Sequence, residues 1–250
     1  MTKIIGLSHI VFTKVKSSSN DDIFLKSNFE NPKKFEFDHS SIRSNMLRDK
    51  SNKLSNLSFY KSNKNSISVE ILHSNTNSTR PKMSYGIIDK KIKIDNLKEN
   101  DSDLDFLGKN MSTFSQSLNC YIVKSTNIIN TDYGCWYSVN NFEQHIEIFE
   151  KSLGLKLISN DGEIAKFESV IINTFLSPFT ILIVRTETKT DYFNDDAGLS
   201  TLGFICKSLP EKINEPFYLS EEFDLILFKK KLKGKFIFDN NGIAYELLKI

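Results

Sequence analysis

Cysteine, proline and glycine are scarce in this sequence of 250 residues, which contains 3, 5 and 10 of them respectively. The cysteines are odd in number and no two stand at C-x-x-C spacing, which argues against a disulfide framework. We expect reduced and mostly buried thiols. Few prolines and glycines argue against a linker-rich or disordered chain. These absences together predict a folded protein of the cytoplasm.

The sequence also lacks a long apolar run and a concentration of charge of one sign. The apolar run at 170–184 is interrupted by Asn173, Ser177 and Pro178, so it is too short to span a bilayer. The start of the chain has no signal-peptide architecture. The 33 basic and 31 acidic residues are mixed along the chain, whereas a nucleic-acid-binding protein concentrates its basic residues. The dense lysine run at 229–235 is interpreted as a solvated hairpin. We therefore expect neither a membrane nor a nucleic acid as partner.

Aromatic residues, by contrast, are plentiful, at 12% of the sequence, and 20 of them are phenylalanines. Phenylalanine favours strands and packs the faces of sheets. The hydrophobic share of 39% and the charged share of 26% are those of an ordinary globular protein. The length allows one large domain or two small ones.

A short strand-like motif occurs twice in the chain. GLSHIVF at 6–12 returns as GLSTLGF at 198–204, with the same first three residues and the same last residue. In both copies a glycine typical of a turn precedes a strand. A helix-capping signal follows each copy, at 17–22 and at 208–211. The two copies therefore predict two units of the same construction.

A third unit begins near residue 133 and contains the clearest helix of the sequence. Asn141 is placed as its N-cap, and Gly154 as the C′ glycine that ends it. Apolar residues between them recur with helical spacing and form one stripe. This stripe consists of Phe142, Ile146, Phe149 and Leu153.

Pairs of strands close each of these units, at 57–72, 164–184 and 236–248. The order strand–helix–strand–strand–strand therefore occurs three times. A shortened fourth copy is placed at 82–123, with a helix at 103–117.

The order of these motifs resembles the vicinal oxygen chelate superfamily, which includes glyoxalases, bleomycin resistance proteins and dioxygenases. The resemblance rests on Phe149 near the end of the capped helix, on the run Leu153-Gly154-Leu155, on the strand at 198–204 and on the final hairpin at 239–248. The chain is identified as a divergent member. The resemblance implies an α+β fold in which repeated βαβββ modules form paired, strongly curved mixed sheets.

In this family two modules pair so that their sheets curve around one cavity, and metal ligands come from the first and last strand of each module. The metal grips two adjacent substrate oxygens and stabilises an enolate-like anion as a Lewis acid. For this chain the resemblance implies one module pair in 1–125, with a degenerate second module, and another pair in 126–250. Members of the family include lyases, isomerases, dioxygenases and drug-binding proteins, so the fold does not fix the reaction.

The resemblance assigns ligand positions residue by residue. His9 takes the first-strand position of the first module and Glu70 its last-strand position. In the copy at 198–204 these positions fall on Thr201, or Ser200 if the register slips, and on Glu246. Histidine and glutamate suit manganese, iron, zinc or nickel. The other modules offer only Gly134 or Cys135, the apolar run 181–184, and Ser84, Tyr85 or Tyr121. Neither half therefore presents the three strong ligands of a usual catalytic metal site.

Each of these ligand candidates also has a purely structural interpretation. His9 shares a strand face with Val11, so a buried and hydrogen-bonded core histidine explains it equally well. Glu70 and Glu246 alternate with apolar neighbours. Such alternation is typical of the solvent face of an antiparallel sheet.

Two arginines and three histidines complete the polar candidates. Arg43 and Arg48 lie on a candidate strand and are proposed to bind an anionic substrate, with a surface ion pair as the alternative. His73 is expected to be exposed, and His145 to lie at the edge of the helix's apolar stripe. His39 has no spacing that supports a role.

Two functional hypotheses follow from the resemblance. In the first, the chain is an enzyme that isomerises, epimerises or cleaves an oxygen-rich metabolite through an enolate-like intermediate. Glu70 or Glu246 would then be a metal ligand or general base, and His9 a metal ligand or acid–base group. In the second, the protein has lost the metal of the family and binds, sequesters or scaffolds without catalysis. A homodimer is an open possibility. A dioxygenase is disfavoured because the chain has only 4 histidines.

Overall fold

The computed structural model describes most of the chain. The described residues are 2–15, 23–36, 40–48, 50–51, 56–62, 67–74, 85–91, 98–99, 102–107, 111–115, 118–124, 127–169, 177–188, 192–227 and 230–250. His39, Ser84 and the capping signal at 17–22 lie outside these residues.

Four consecutive units make up the described chain. Unit 1 consists of β1 (Ile4–Val15), α1 (Ile23–Asn28), β2 (Lys33–Glu36), α2 (Ser40–Arg43), a 3-10 turn (Ser44–Met46), β3 (Asn56–Tyr60) and β4 (Ser68–Ser74). Unit 2 consists of β5 (Tyr85–Asp89), β6 (Lys98–Glu99), a 3-10 segment (Ser102–Leu107), β7 (Met111–Ser115) and β8 (Cys120–Lys124). Unit 3 consists of β9 (Tyr133–Val139), α3 (Phe142–Glu147), a π-helical turn (Ile148–Ser152), β10 (Lys156–Asn160), β11 (Ile164–Glu168) and β12 (Phe179–Arg185). Unit 4 consists of β13 (Gly198–Cys206), β14 (Tyr218–Leu219), β15 (Phe223–Leu227), β16 (Lys230–Phe238) and β17 (Ala244–Lys249).

These strands form two mixed sheets, which confirms the predicted α+β class. The first sheet has the order β14-β16-β17-β13-β1-β4-β3-β2, with β15 paired to β16. The second sheet has the order β10-β11-β12-β9-β5-β8-β7-β6. Within each unit the opening strand runs parallel to the closing strand. Between units the two opening strands run antiparallel.

The pairing of units differs from the prediction that 1–125 and 126–250 each contain one module pair. The first sheet joins unit 1 to unit 4 through β1 and β13, and the second joins unit 2 to unit 3 through β5 and β9. One pair is therefore nested inside the other along the chain. Repeated motifs indicate which segments are alike, but the partner of each opening strand is decided by long-range packing.

The main core lies where the two sheets face each other. It includes Ile10 and Phe204 from the first sheet and Phe167 and Phe179 from the second. Rings from the two sheets are in contact, for example Phe179 and Phe204, with centroids 5.8 Å apart. This apolar layer accounts for the many phenylalanines, because burial of large aromatic faces dominates the stability of stacked sheets.

The predicted helix of unit 3 is confirmed, with its apolar stripe against the main core. Asn141 is its N-cap residue but makes no side-chain capping bond; its Oδ1 accepts instead from Asn241 Nδ2 at 2.8 Å. The helix widens into a π turn at Ile148–Ser152, with Leu153 as the C-cap residue, and Gly154 follows as the C′ residue with φ 69°. A left-handed conformation of this kind is the one that favours glycine.

Three local predictions are wrong. Residues 103–117 contain a 3-10 segment and strand β7 instead of a helix. The capping signal at 208–211 starts no helix, since 207–217 forms turns; Pro210 and Pro216 stand in this segment and lack the N–H that a helix interior needs. Arg43 ends helix α2 and Arg48 lies in a bend, whereas both were predicted on a strand.

Two further predictions concern the lysine run at 229–235 and the lack of a membrane-spanning segment. Lys231 and Lys233 on β16 are exposed and form ion pairs with Asp224 and Glu222, as expected for a solvated hairpin. Lys229 lies outside the described residues. No helix in the described part of the chain is long and apolar enough to cross a membrane.

Candidate functional site

The candidate site lies on the face of the first sheet that points away from the main core. On β1, Ile10 and Phe12 belong to the main core, whereas Val11 packs on the other face with Leu72. His9 shares the face of Val11. On the neighbouring strands the register places Glu70 opposite Val11 and Gly203 opposite both His9 and Glu246.

Three ionisable side chains meet there. His9 Nε2 lies 3.0 Å from Glu246 Oε2 and 3.7 Å from Glu70 Oε2. The side chains of His9 and Glu246 are each 5% exposed, and that of Glu70 is 15% exposed. Among the residues that the resemblance assigned to ligand positions, the structure thus brings together the three strong ligand types, His9, Glu70 and Glu246, and Glu70 lies on the more accessible side.

Gly203 makes this arrangement sterically feasible. A Cβ atom at position 203 would lie 2.2 to 2.6 Å from three atoms of the His9 ring. The imidazole therefore occupies space that only a residue without a side chain leaves free. The sequence carried a signal for this, because GLSTLGF has glycine where GLSHIVF has Val11.

Arg43 is the fourth member of the site, and we refer to His9, Glu70, Glu246 and Arg43 as the His9 cluster. Its guanidinium is buried, donates from Nη1 to Asn194 Oδ1 at 2.9 Å, and lies 4.4 Å from the ring centroid of Phe236. Its charge interacts with the carboxylates of Glu246 and Glu70. Among the described residues Nε has no hydrogen-bond partner.

The cluster shifts the protonation equilibria of its members. Burial disfavours the charged form of His9, but the carboxylates of Glu70 and Glu246 outweigh it, so the pKa of His9 is raised. Burial raises the pKa of Glu70, with Glu246 adding to the effect and the positive charges of His9 and Arg43 opposing it. Burial lowers the pKa of Arg43, against the pull of the two carboxylates. The pKa values of His9 and Glu70 are thus both shifted upward, in the direction of neutral pH.

The position in unit 4 that corresponds to His9 is Thr201. His9 lies opposite Ser68, two residues before Glu70, and Thr201 lies opposite Ala244, two residues before Glu246. Thr201 is fully buried, and its Oγ1 has no hydrogen-bond partner among the described residues. The fourth ligand position of a module pair is therefore filled by a weak donor.

The donor types of the cluster suit a divalent cation, but their present arrangement, with Arg43 among them, does not. In the part of the chain that the structure describes, no three His, Cys, Asp or Glu side chains are grouped so that they could hold a metal ion. The guanidinium of Arg43 packs over Phe236, which lies opposite Glu246 in the strand register, and its positive charge already acts on both carboxylates. The residues present therefore do not fit a resident divalent metal.

Arg48, the other predicted substrate-binding arginine, is not brought to the cluster. Its guanidinium is 43% exposed and donates from Nε and Nη2 to the two carboxylate oxygens of Asp196, both at 2.9 Å. It also lies 4.7 Å from the ring centroid of Phe193.

Two segments cover the cluster's face of the sheet, and we call them the cover: residues 40–47 and residues 192–196. Met46 packs on the apolar patch beside the cluster, and its carbonyl accepts from Asn194 N at 2.7 Å. Asn194 is fully buried and also accepts, through its carbonyl, from Thr13 Oγ1 at 2.8 Å. Sequence reasoning missed Asn194, although the polar run 194–196 directly before the second motif was a usable signal.

The corresponding face of the second sheet holds no such cluster among its described residues. It is filled by an apolar group that includes Leu104, Val123 and Trp136. A Cβ atom on Gly86 would lie 1.9 Å from the Trp136 ring, so this ring fills the space across from it. Cys135 lies in the main core, where burial raises the pKa of its thiol to about 12. A thiolate nucleophile is therefore disfavoured there.

Two of the remaining histidines are described. His73 at the end of β4 is exposed, as predicted. His145 is fully buried instead of lying at the edge of the stripe. Its Nε2 is 2.9 Å from Asp239 Oδ2 and its Nδ1 is 3.0 Å from the carbonyl oxygen of Asn141. It takes a structural position in the main core, away from the His9 cluster.

No protein-family model and no curated protein matches the sequence. Among solved structures the chain is similar to glyoxalase I from Zea mays, at 10% identity and a TM-score of 0.55, covering 100% of this chain and 92% of that one. It is also similar to a proposed dioxygenase from Bacillus subtilis, at 8% identity and a TM-score of 0.58, covering 100% and 86%. Identities this low establish the fold alone. The predicted resemblance to the vicinal oxygen chelate superfamily is confirmed at that level, and the chain is a divergent representative of the fold.

Proposed function

We propose that this chain, a divergent protein of the vicinal oxygen chelate fold, is an enzyme that moves a proton on a carbon next to a carbonyl group of a small oxygen-rich metabolite. The supporting observation is the contact of His9 with Glu246 at 3.0 Å and Glu70 at 3.7 Å beside a buried arginine. Isomerisation, epimerisation and elimination by a lyase can all begin with this proton transfer.

Glu70 is the proposed general base. It is the more exposed of the two carboxylates, and its raised pKa makes it a stronger base than an ordinary glutamate. The substrate C–H bond breaks, the proton passes to Glu70 Oε2, and the electron pair moves onto the carbonyl oxygen to give an enolate. Glu246 remains the hydrogen-bond partner of His9.

His9 is the proposed acid, because its raised pKa keeps a larger share of it protonated near neutral pH. His9 lies on the same side of the substrate as Glu70, so protonated His9 returns a proton to the enolate from that side, and the enolate electron pair forms the new C–H bond. The proton left on Glu70 then restores His9 across the 3.7 Å that separates the two side chains.

Arg43 is the proposed electrophile. Its Nε–H has no hydrogen-bond partner among the described residues, so this group is available to an oxygen that gains charge. A fixed, buried cation stabilises such an oxygen more strongly than water does. A substrate with a carboxylate or 1,2-dioxygen group would match the donor.

The metal-free binding protein remains the second candidate function. The observation that favours it is the cover, which packs over the cluster and holds Arg43 through Asn194. A protein that only sequesters its ligand needs a closed site but no proton transfer.

Hydrogen–deuterium exchange at substrate carbon separates these functions. The purified full chain would be incubated in D2O with a panel of 2-oxo acids, 2-hydroxy acids and α-hydroxy ketones, and loss of C–H signals would be followed by NMR. We expect exchange of at least one compound with wild-type protein. Glu70→Gln should slow it by about 100-fold or more, in the range typical of lost general-base catalysis.

The matched control is Glu163→Gln, which makes the same change at an exposed glutamate and should leave the exchange rate unchanged. Line broadening of the same compounds reports binding in the same samples. Compounds that bind without exchange would reject the enzyme hypothesis in favour of the binding protein.

A further inference from the structure

The charge composition of the His9 cluster is unusual for a site with two buried carboxylates. The carboxylates of Glu70 and Glu246 both meet His9, and the guanidinium of Arg43 adds a positive charge that acts on both. Two carboxylates that meet the same buried imidazole are costly to bury unless positive charge compensates them. The cluster therefore contains its own counter-charge, supplied by protein side chains.

Arg43 is fixed in place by contacts on other sides of its guanidinium. Asn194 Oδ1 accepts from Nη1 at 2.9 Å, and the Phe236 ring lies 4.4 Å from the guanidinium carbon. Asn194 is itself held, because its Nδ2 donates to the carbonyl of Ser200 at 2.6 Å. Phe236 lies opposite Glu246 on the neighbouring strand, so this ring contact holds the guanidinium on the face of the sheet where the two carboxylates lie. An arginine with this support has little freedom to leave that face.

We propose that Arg43 is the resident cation of the His9 cluster and that it keeps divalent metal ions out of the site. A metal ion bound by His9, Glu70 and Glu246 would add two positive charges next to a buried guanidinium. Repulsion between like charges in a poorly solvated site costs far more than it does in water. This inference goes beyond the proposed function and does not depend on which reaction, if any, the cluster performs.

The inference predicts that removal of the arginine charge creates a metal site. Chelator-treated full-length protein would be titrated with MnCl2 and with ZnCl2 by isothermal titration calorimetry. We expect wild-type protein to show no binding that depends on Glu70. The Arg43→Met variant keeps the length of the side chain and loses its charge. It should bind one equivalent of metal ion at least about tenfold more tightly than wild-type protein does. Glu70→Gln in the same background should abolish the gain.

The matched control is Arg48→Met, the same substitution on the neighbouring arginine that pairs with Asp196, and it should leave metal affinity at the wild-type level. Circular dichroism verifies folding, and Arg43→Gln, whose amide can still donate to Asn194, replaces Arg43→Met if that variant does not fold. One equivalent of metal on wild-type protein, lost in Glu70→Gln, would overturn the inference. So would an arginine variant that folds and binds metal no more tightly than wild type. Neither result involves turnover, so the outcome is separate from the exchange experiment.

Discussion

The ring of His9 sits in space that Gly203 leaves empty, and its ring nitrogen meets two carboxylates. A histidine on an apolar strand fits a core position and a functional position equally well from sequence. The distinction comes from its partners: a core histidine needs one or two hydrogen bonds, whereas His9 meets Glu246, Glu70 and the field of Arg43 together. The residue is buried and also electrostatically coupled to the site.

The raised pKa values of His9 and Glu70 predict a pH dependence of stability. Both groups bind a proton more tightly in the folded chain than at the ordinary values of 6.5 and 4.5. Each therefore contributes stability that is complete below its ordinary pKa and is lost as pH rises through the folded pKa. Glu70 contributes to the fall from pH 4.5 upward and His9 from pH 6.5 upward.

Urea unfolding of wild type, His9→Gln and Glu70→Gln across pH 4 to 9 measures this contribution. The free energy of unfolding of each variant should depend less steeply on pH than that of wild type over the window of the removed group. His73→Gln is the matched control, because burial lowers the pKa of His73 and nearby lysines lower it further. It should leave the decline above pH 6.5 intact. Identical slopes for wild type and His9→Gln would contradict the prediction.

Helix α3 is the element whose attachment depends most clearly on one polar contact. His145 on α3 reaches Asp239, which precedes β17, and Asp239 also accepts from Tyr245 at 3.2 Å. Tyr137 on β9 donates to Tyr245 at 2.8 Å. These side chains are all buried, so the chain of hydrogen bonds ties units 3 and 4 together inside the apolar layer.

Removal of His145 should destabilise the whole protein. His145→Ala leaves Asp239 buried without the imidazole and opens a void beside Phe149, and we expect a loss of roughly 3 kcal/mol in the free energy of unfolding. His73→Ala makes the same change at an exposed position and should cost less than about 0.5 kcal/mol. Urea denaturation compares them. Equal midpoints for the two variants would show that the contact with Asp239 contributes no stability.

The whole molecule is organised by a nested pairing of its four units. Strands β1 and β13 join the outer units, and β5 and β9 join the inner ones. Both junctions link a strand from 1–125 to a strand from 126–250, so neither half can complete a sheet by itself. Unfolding should therefore be cooperative across the chain.

Expression of the halves tests this organisation. Residues 1–125 and 126–250, produced separately, should each lack a sharp thermal transition, because each loses the partners of its opening strands. Produced together, the two fragments should copurify and regain a single transition in circular dichroism. Two independently folding fragments would instead support the pairing of neighbouring modules, and full-length protein provides the reference curve.

Sequence patterns predicted what depends on short-range order. The stripe of α3 and the glycine at 154 were predictable because helical spacing and left-handed turns are local properties. The helix at 103–117 was wrong because β7 pairs with β8 there, and pairing overrides local preference. The prediction that Arg43 lies on a strand was wrong for a related reason. Residues 40–47 pack on the sheet through contacts that the local sequence pattern does not indicate.

The sequence by itself determined the repeated units and the α+β class, because strand alternation and turn residues act over a few positions. The ligand positions of His9, Glu70 and Glu246 came from the resemblance to a known family. Only the tertiary structure decided that His9 and Glu246, 237 residues apart, would touch. It also decided that Arg43 would join them and that Arg48 would not. Contacts of this kind arise from antiparallel pairing of β1 with β13 and from packing of the cover, whose free energies depend on the whole folded chain.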